Sequence, residues 1–254
     1  MVCETPAVTE PVSVFQQHGF DVRFAWGLDG LRVLRDARTF VVVDVLSFST
    51  AVDVAVGRGA TVLPFGGRPD GVNGYAKRHD AVAAGSRGSS DWSLSPASLL
   101  SIPKGTRLVL PSPNGSTLSA EVATTGTVLT ACLRNAPAVG SALGDMQPPI
   151  TVIAAGERWG HRGGRLRPAL EDLIGAGAII GAVGSSSLSP EARAAQAVFH
   201  ASESALDEWI RDCSSGRELI EAGFGSDVEL ASEYGSSSAI PVLERGAYVD
   251  FCAA

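Results

Sequence analysis

The sequence predicts a single α/β domain, a mixed or mostly parallel sheet sandwiched by helices (α/β/α), and three observations carry that reading. Short β-branched runs alternate with Ala-rich amphipathic stretches, the signature of strands connected by covering helices. Polar residues capable of chemistry follow directly on several apolar runs, where open α/β sheets bind their ligands. The chain is also long enough, at 254 residues with 45% apolar side chains, to build a core without disulfide or metal staples.

Residues 20–25 read as a first strand and 28–38 as a helix. Residues 40–46 (FVVVDVL) form the clearest buried strand, followed by a helix over 49–57 (STAVDVAVG) and a short strand over 61–65. The stretch 66–101 is rich in Gly, Ser and Asp and is read as one helix near 72–84 followed by an irregular loop. Strands at 107–110, 127–131 and 150–154 run into PSPNGS, CLRNAP and AGERWGHRGGRLRP respectively. A long helix over 169–183, one or two amphipathic helices within 190–222, and a strand at 240–243 complete the chain. No internal repeat and no linker divides it, so residues 1–254 are read as one domain with 1–18 as a loose N-terminal extension.

Composition narrows the function classes. A formal net charge of -7 supplies no basic stripe for a nucleic acid or an anionic membrane. No apolar run reaches the roughly 18 residues of a membrane span, and the first residues lack a basic region followed by an apolar block. Cys3, Cys132, Cys213 and Cys252 are scattered without CxxC or Cys/His pairing, which argues against a disulfide framework or structural zinc and fits a reducing cytoplasm.

The chemistry-bearing residues fall after strands: Asp44 with Ser47, Ser49 and Thr50; Asn114 with Gly115, Ser116 and Thr117; Arg134 with Asn135; Glu157 with Arg158. These four loops meet in one crevice if their strands are neighbours. Asp44 interrupts an apolar run, and a buried carboxylate is costly unless paired, hydrogen-bonded or metal-bound; the plain alternative is a cap on the following helix. The Ser47 to Thr50 turn and the Ser116–Thr117 pair lie at helix starts, where amides and hydroxyls suit an anion or serve as ordinary N-caps. Glu171 and Asp172 open a helix that is otherwise apolar, so they either complement its dipole or join Glu157 in metal or acid–base work, since Mg²⁺ prefers carboxylates with water and substrate phosphate.

Standard signatures are missing. The haloacid-dehalogenase pattern needs a second Asp where Leu46 stands, the surroundings of Cys132 lack a phosphatase loop, and there is no GxxxxGK[ST] sequence or metal-spaced His pair.

Five motifs in register nevertheless resemble one family: VVVDVLSFSTAV (41–52), PSPNGSTL (111–118), ACLRNAPAV (131–139), AAGERWG with EDLIGAGAII (154–160, 171–180), and GRELIEAGFGSDVELASEYGSSSAIPVL (216–243). The set is similar to the 2-phosphosulfolactate phosphatases of coenzyme M biosynthesis. The resemblance implies an α/β fold unlike other phosphatases and a Mg²⁺-dependent acid phosphatase acting on a small anionic phosphorylated substrate, with a homodimer left open. It points to Asp44, Glu157, Glu171 and Asp172 as metal ligands, with Asp44, Glu157 and Asp172 as the reacting set. Ser47, Ser49, Thr50, Arg87, Asn114, Gly115, Ser116, Thr117, Arg134, Asn135 and Arg158 are then the expected substrate contacts.

Three positions depart from the family pattern: Ser47 stands for an Arg, Ser86 for a Glu, and Leu94 for an Asn. An Arg-to-Ser change removes a bidentate anion contact. Two further readings follow: a relative that dephosphorylates a different small acid, and a non-catalytic anion-binding protein.

Overall fold

A computed structural model of the chain describes residues 14–160 and 164–251. The segment read as an N-terminal extension lies mostly outside the described residues, as do Cys3 and Cys252. The chain runs β1 (Val22–Trp26), α1 (Gly27–Val33), β2 (Thr39–Val43), α2 (Phe48–Gly57), β3 (Thr61–Phe65), α3 (Val72–Arg78), β4 (Val82–Ala83) and β5 (Arg107–Pro111). It continues through α4 (Gly115–Val122), β6 (Thr127–Ala131), α5 (Ala136–Gly144), β7 (Ile150–Ala154), β8 (Glu157–Arg158), β9 (Leu166–Arg167) and α6 (Leu170–Val183). Helices α7 (Pro190–Ser202), α8 (Leu206–Asp212), α9 (Ser214–Glu221) and α10 (Gly225–Ser232) precede the hairpin β10 (Pro241–Glu244) and β11 (Ala247–Asp250).

Strand β2 shows why the fold has three layers. All five of its residues are buried, so the strand needs cover on both faces. Because successive side chains point to opposite faces, Val41 and Val43 join one apolar cluster with α5, α6 and α7, through Val139, Ile174, Ile179 and Phe199. Phe40 and Val42 join another with Leu31 of α1 and Leu118 and Val122 of α4. Each fully buried branched or aromatic side chain of this kind contributes about 1.5–3 kcal/mol.

Nine strands form one mixed, mostly parallel sheet in the order β1-β7-β2-β6-β10-β11-β3-β5-β4. Two parallel blocks, β1-β7-β2-β6 and β3-β5-β4, flank the β10–β11 hairpin, which pairs antiparallel with β6 at Val242–Leu129 and with β3 at Tyr248–Val62. The second block packs one face against α2 and the 3-10 turn Pro96–Ser101, through Phe48, Val52, Leu99, Ile102 and Tyr248. Its other face meets α3 through Ala76. Strands β8 and β9 make a separate two-stranded ribbon. Among the described residues no helix is long and apolar enough to cross a membrane.

Several sequence-based boundaries move. The strand read over 40–46 ends at Val43 because Asp44 turns the chain into α2. The helix read over 28–38 stops at Val33. The helix read over 72–84 stops at Arg78; the backbone reverses at Asp80, whose φ of 48° is one that Asp tolerates better than most residues, and residues 82–83 become the edge strand β4. The carboxyl-terminal helical stretch breaks into α7, α8 and α9, with Cys213 extended between the last two. Strand β11 has no counterpart in the sequence reading.

Helix α6 is packed between the sheet, α5 and α7, and its glycines differ in what they tolerate. A Cβ on Gly177 would lie 2.1 Å from the Ala195 carbonyl and 2.9 Å from Phe199 Cβ, whereas one on Gly181 would meet only the Gln196 side chain at ordinary contact distance. Gly177→Ala is therefore expected to lower the unfolding free energy by about 1–3 kcal/mol. Gly181→Ala should leave it unchanged or raise it by up to about 1 kcal/mol through helix propensity. Urea unfolding of the two variants checks this, and equal effects would contradict the packing.

Candidate active site

The turn after β2 is organised by Asp44. This carboxylate is 6% exposed; Oδ1 accepts from the Phe48 amide at 3.3 Å and Oδ2 from the Gly115 amide at 2.9 Å. Phe48 opens α2 and Gly115 opens α4, so one carboxylate sits on the amino ends of two helices, where the dipoles favour negative charge. The sequence offered, as the plain reading of Asp44, a cap through the Ser47 or Ser49 amides; Asp44 does cap α2, but through the Phe48 amide, and it reaches a second helix 71 residues away in the chain.

Asp172, in the first turn of α6 and 3% exposed, performs the matching task on the other side. Its Oδ1 accepts from the Val45 amide at 2.7 Å and its Oδ2 from the Gly156 amide at 2.8 Å. The loop after β2 is thus tied to the loop after β7. Asn114 closes the ring by donating from Nδ2 to both Glu157 oxygens at 3.3 Å. The loops after β2, β5 and β7 and the start of α6 therefore meet at one place. A cleft of about 130 Å³ opens beside it, lined by Asn114, Thr117, Arg158, Ala155, Leu166 and Asp29 among others.

Four acids share this region, and their charge is unbalanced. Burial, then the Glu157 and Glu171 carboxylates, push Asp44 up to about 6, against the pull of its two amides. Asp172 is raised well above the ordinary carboxylate range by burial and by Glu171 and Asp44. Glu171, 3% exposed, has an Oε2 with no hydrogen-bond partner. Among the described residues no three His, Cys, Asp or Glu side chains converge as a ready-made metal centre. The donor set still fits a hard divalent cation: Mg²⁺ binds through one or two carboxylates and completes its shell with water and phosphate oxygens, and the orphaned Glu171 oxygen lacks a positive partner.

Most hydroxyls read from the sequence as phosphate contacts are engaged by backbone carbonyls. Ser49 Oγ donates to the Val42 carbonyl, Thr50 to Val45, Ser116 to Leu110 and Thr117 to Pro113. The amide seats at the two helix starts hold the Asp44 carboxylate. Among the described residues, the cations near the cluster include Arg158, exposed at the cleft and donating to the Gly164 carbonyl, and Arg87, whose Nη2 donates to Ser47 Oγ at 2.7 Å and to the Leu94 carbonyl. Burial lowers the Arg87 guanidinium, while Asp227 and Asp44 oppose that. Of the other departures, Ser86 is exposed and Leu94 packs on the cluster around α2. Cys132 is wholly buried and pushed up to about 12 by that burial, the reverse of what a nucleophilic thiol needs.

A model of the 2-phosphosulpholactate phosphatase family matches residues 31–246. The chain belongs to that family. It is accordingly a phosphatase, a phosphoric monoester hydrolase. It is 26% identical over 221 residues, 84% of this chain and 92% of the relative, to a Thermotoga petrophila protein named "Probable 2-phosphosulfolactate phosphatase". A Gloeobacter violaceus protein of the same name is 29% identical over 210 residues, 79% of this chain and 86% of the relative.

In this member of the 2-phosphosulfolactate phosphatase family, the loop after β6 does not join the others. Arg134 donates from Nε to Asp53 Oδ2 at 2.9 Å and pairs with Glu233, and Asn135 bridges the Cys132 amide and the Ala239 carbonyl. The reason is Asp53, 1% exposed on α2, which needs a cation. Sequence inspection passed over it although it breaks an apolar run in the same way as Asp44. It also passed over Asp227, wholly buried on α10, whose surroundings carry no such signal.

Two outcomes are expected. Arg134→Met strands a buried carboxylate and should lower stability by about 3–5 kcal/mol. Its KM should stay at the wild-type value, as measured on the folded enzyme at low temperature. For Asp44, the folded state holds its proton up to about pH 6 whereas an unfolded Asp releases it near 3.8. Metal-free protein should therefore lose stability as pH rises between those values, by about 2–3 kcal/mol. Chemical unfolding in EDTA from pH 4 to 7 measures this, and Asp44→Asn should show a flatter profile; parallel profiles would exclude Asp44 as the source.

Proposed function

We propose that the chain hydrolyses 2-phosphosulfolactate, the phosphate ester of a small 2-hydroxy acid, to 3-sulfolactate and inorganic phosphate, as a step of coenzyme M biosynthesis. The observation that carries this reading is Asp44: a buried carboxylate fixed by amides from two helix starts and raised to about 6, in a turn tied to a second fixed carboxylate, with the neighbouring Asn114 lining an open cleft. The names of relatives covering 79–84% of the chain support the substrate.

In this mechanism Asp44, as the carboxylate, takes a proton from the attacking water. The water oxygen bonds to phosphorus, the bond from phosphorus to the 2-oxygen breaks, and the proton ends on that departing oxygen. Asp172 holds the Asp44 turn in place through the Val45 amide, and Asn114 fixes Glu157. Arg158 and Arg87 supply positive charge for the phosphate and the substrate's second anion. Mg²⁺ held by one or two of Asp44, Glu157, Glu171 and Asp172, with water and phosphate oxygens completing its shell, would supply charge neutralisation of the phosphoryl oxygens.

Ser47 favours a second reading, in which the enzyme serves a different small phosphorylated acid. Phosphate release from 2-phosphosulfolactate and 2-phospholactate, with Mg²⁺ and with EDTA, tests both. Turnover is expected on at least one of them and only with the metal, and Asp44→Asn should lower kcat by about 10²–10⁴-fold. No release from any 2-phospho acid at millimolar concentration would overturn the proposal.

A further inference from the structure

The cluster of acids lies next to a second buried charge system, of which the mechanism above uses Arg87 but not its acidic partner. Asp227 is a wholly buried carboxylate on α10, in the carboxyl-terminal helical region. Its Oδ1 accepts from Ser95 Oγ at 2.5 Å and from the Ala97 amide at 3.1 Å. Its Oδ2 has no hydrogen bond and faces Arg87 Nη1 at 3.4 Å, which is likewise buried without a hydrogen-bond partner. The guanidinium lies over the Phe224 ring at 5.5 Å. Arg87 therefore leaves the irregular loop before the Pro96–Ser101 turn with its plane set by α10 on one edge. On another edge Nη2 reaches Ser47 Oγ, three residues beyond Asp44.

A buried ion pair of this kind is a poor source of stability, because desolvation offsets most of the attraction. A pair in ion contact but without a hydrogen bond gains less still. What the arrangement does achieve is placement: a guanidinium with Nη1 against Asp227 and Nη2 on Ser47 is held beside a carboxylate-rich site that otherwise repels an anion. We propose that Asp227, fixed by Ser95 and Ala97, is a positioning residue that holds the Arg87 guanidinium at Ser47 as the anion-binding cation of the active site. The inference rests on the phosphatase reading above, since it assigns Arg87 an anionic substrate.

The consequence is that the effect of Asp227 on ligands passes through Arg87 alone. Asn at 227 keeps an Oδ1 acceptor for Ser95 and Ala97 and removes the charge opposite Arg87, so it separates holding the guanidinium from holding α10. Binding of inorganic phosphate, followed by calorimetry in the presence of Mg²⁺, requires no turnover and serves as the first readout. Arg87→Met should weaken phosphate binding about 10- to 100-fold, the range of a charge-assisted contact. Asp227→Asn should weaken it about 10-fold in the wild-type background and not further in the Arg87→Met background. In turnover, both single variants should raise KM for the phosphorylated acid by more than they lower kcat.

Ser47 lies 2.7 Å from Arg87, so an arginine at 47 reaches the same ground. The double variant Ser47→Arg with Arg87→Met should regain most of the lost phosphate affinity and be indifferent to Asp227→Asn. Should Asp227→Asn fail to fold, Ser95→Ala, which removes only the hydroxyl that fixes Oδ1, takes its place in the same cycle. Unchanged phosphate affinity in Arg87→Met, or an equal loss from Asp227→Asn in both Arg87 backgrounds, overturns the inference while leaving the phosphatase reading intact. A wild-type protein that neither binds phosphate nor releases it from a 2-phospho acid overturns both.

Discussion

Asp44 and Asp172 lie almost wholly out of water, and each has both carboxylate oxygens on backbone amides supplied from different parts of the chain. A charge taken out of water must find such donors or be neutralised. The loops are arranged around that requirement: Phe48 and Gly115 give their amides to one acid, Val45 and Gly156 to the other. Because Val45 follows Asp44 directly, the same short turn is held from two sides. The positions of α2, α4 and α6 relative to one another thus depend on two side chains as well as on the sheet beneath them.

The two acids are stabilised by dipoles and not by cations, and this separates them from the remaining buried charges. Asp53 has Arg134 and Asp227 has Arg87, each drawn from a distant part of the chain. Among the described residues Asp44 and Asp172 have only amides, and one Glu171 oxygen has no hydrogen-bond partner. Amides hold a carboxylate in place but leave its repulsion with its neighbours standing, which is why Asp44 and Asp172 are both raised. Among the described residues, no arginine is ion-paired directly to Asp44, Asp172 or Glu171, although Arg87 reaches Ser47 beside them.

Much of the fold was legible in the sequence because burial leaves a periodic trace. The run 40–43 announces a strand covered on both faces, and α6 announces itself by being apolar almost throughout. The edge strand β4 and the strand β11 left little trace. They are short, and their pairing depends on neighbours far away in sequence. At the site, Asp44 and Asp172 stand out by chemistry, as charges within apolar surroundings. What sequence could not supply was direction: Arg134 follows a strand that neighbours β2, as expected, yet its side chain turns to Asp53. The hydroxyls of Ser49, Thr50, Ser116 and Thr117 lie at helix starts, as read, yet they turn to carbonyls.

The unbalanced acids bear on how a phosphatase built this way can accept its substrate. The proposed substrate brings a phosphate, a carboxylate and a sulfonate toward carboxylates that already repel one another, so binding needs positive charge to arrive with it or before it. Arg87 supplies one fixed charge that acts on Asp44. A divalent cation among the acids, on the proposed reading, supplies the rest. On that reading, positive charge bound beside Asp44 would oppose the Glu157 and Glu171 repulsion that raises its carboxylate, and so would favour the ionised form. Substrate acceptance and readiness of the base would then be coupled through one electrostatic balance, a property that acids already paired to arginines would lack.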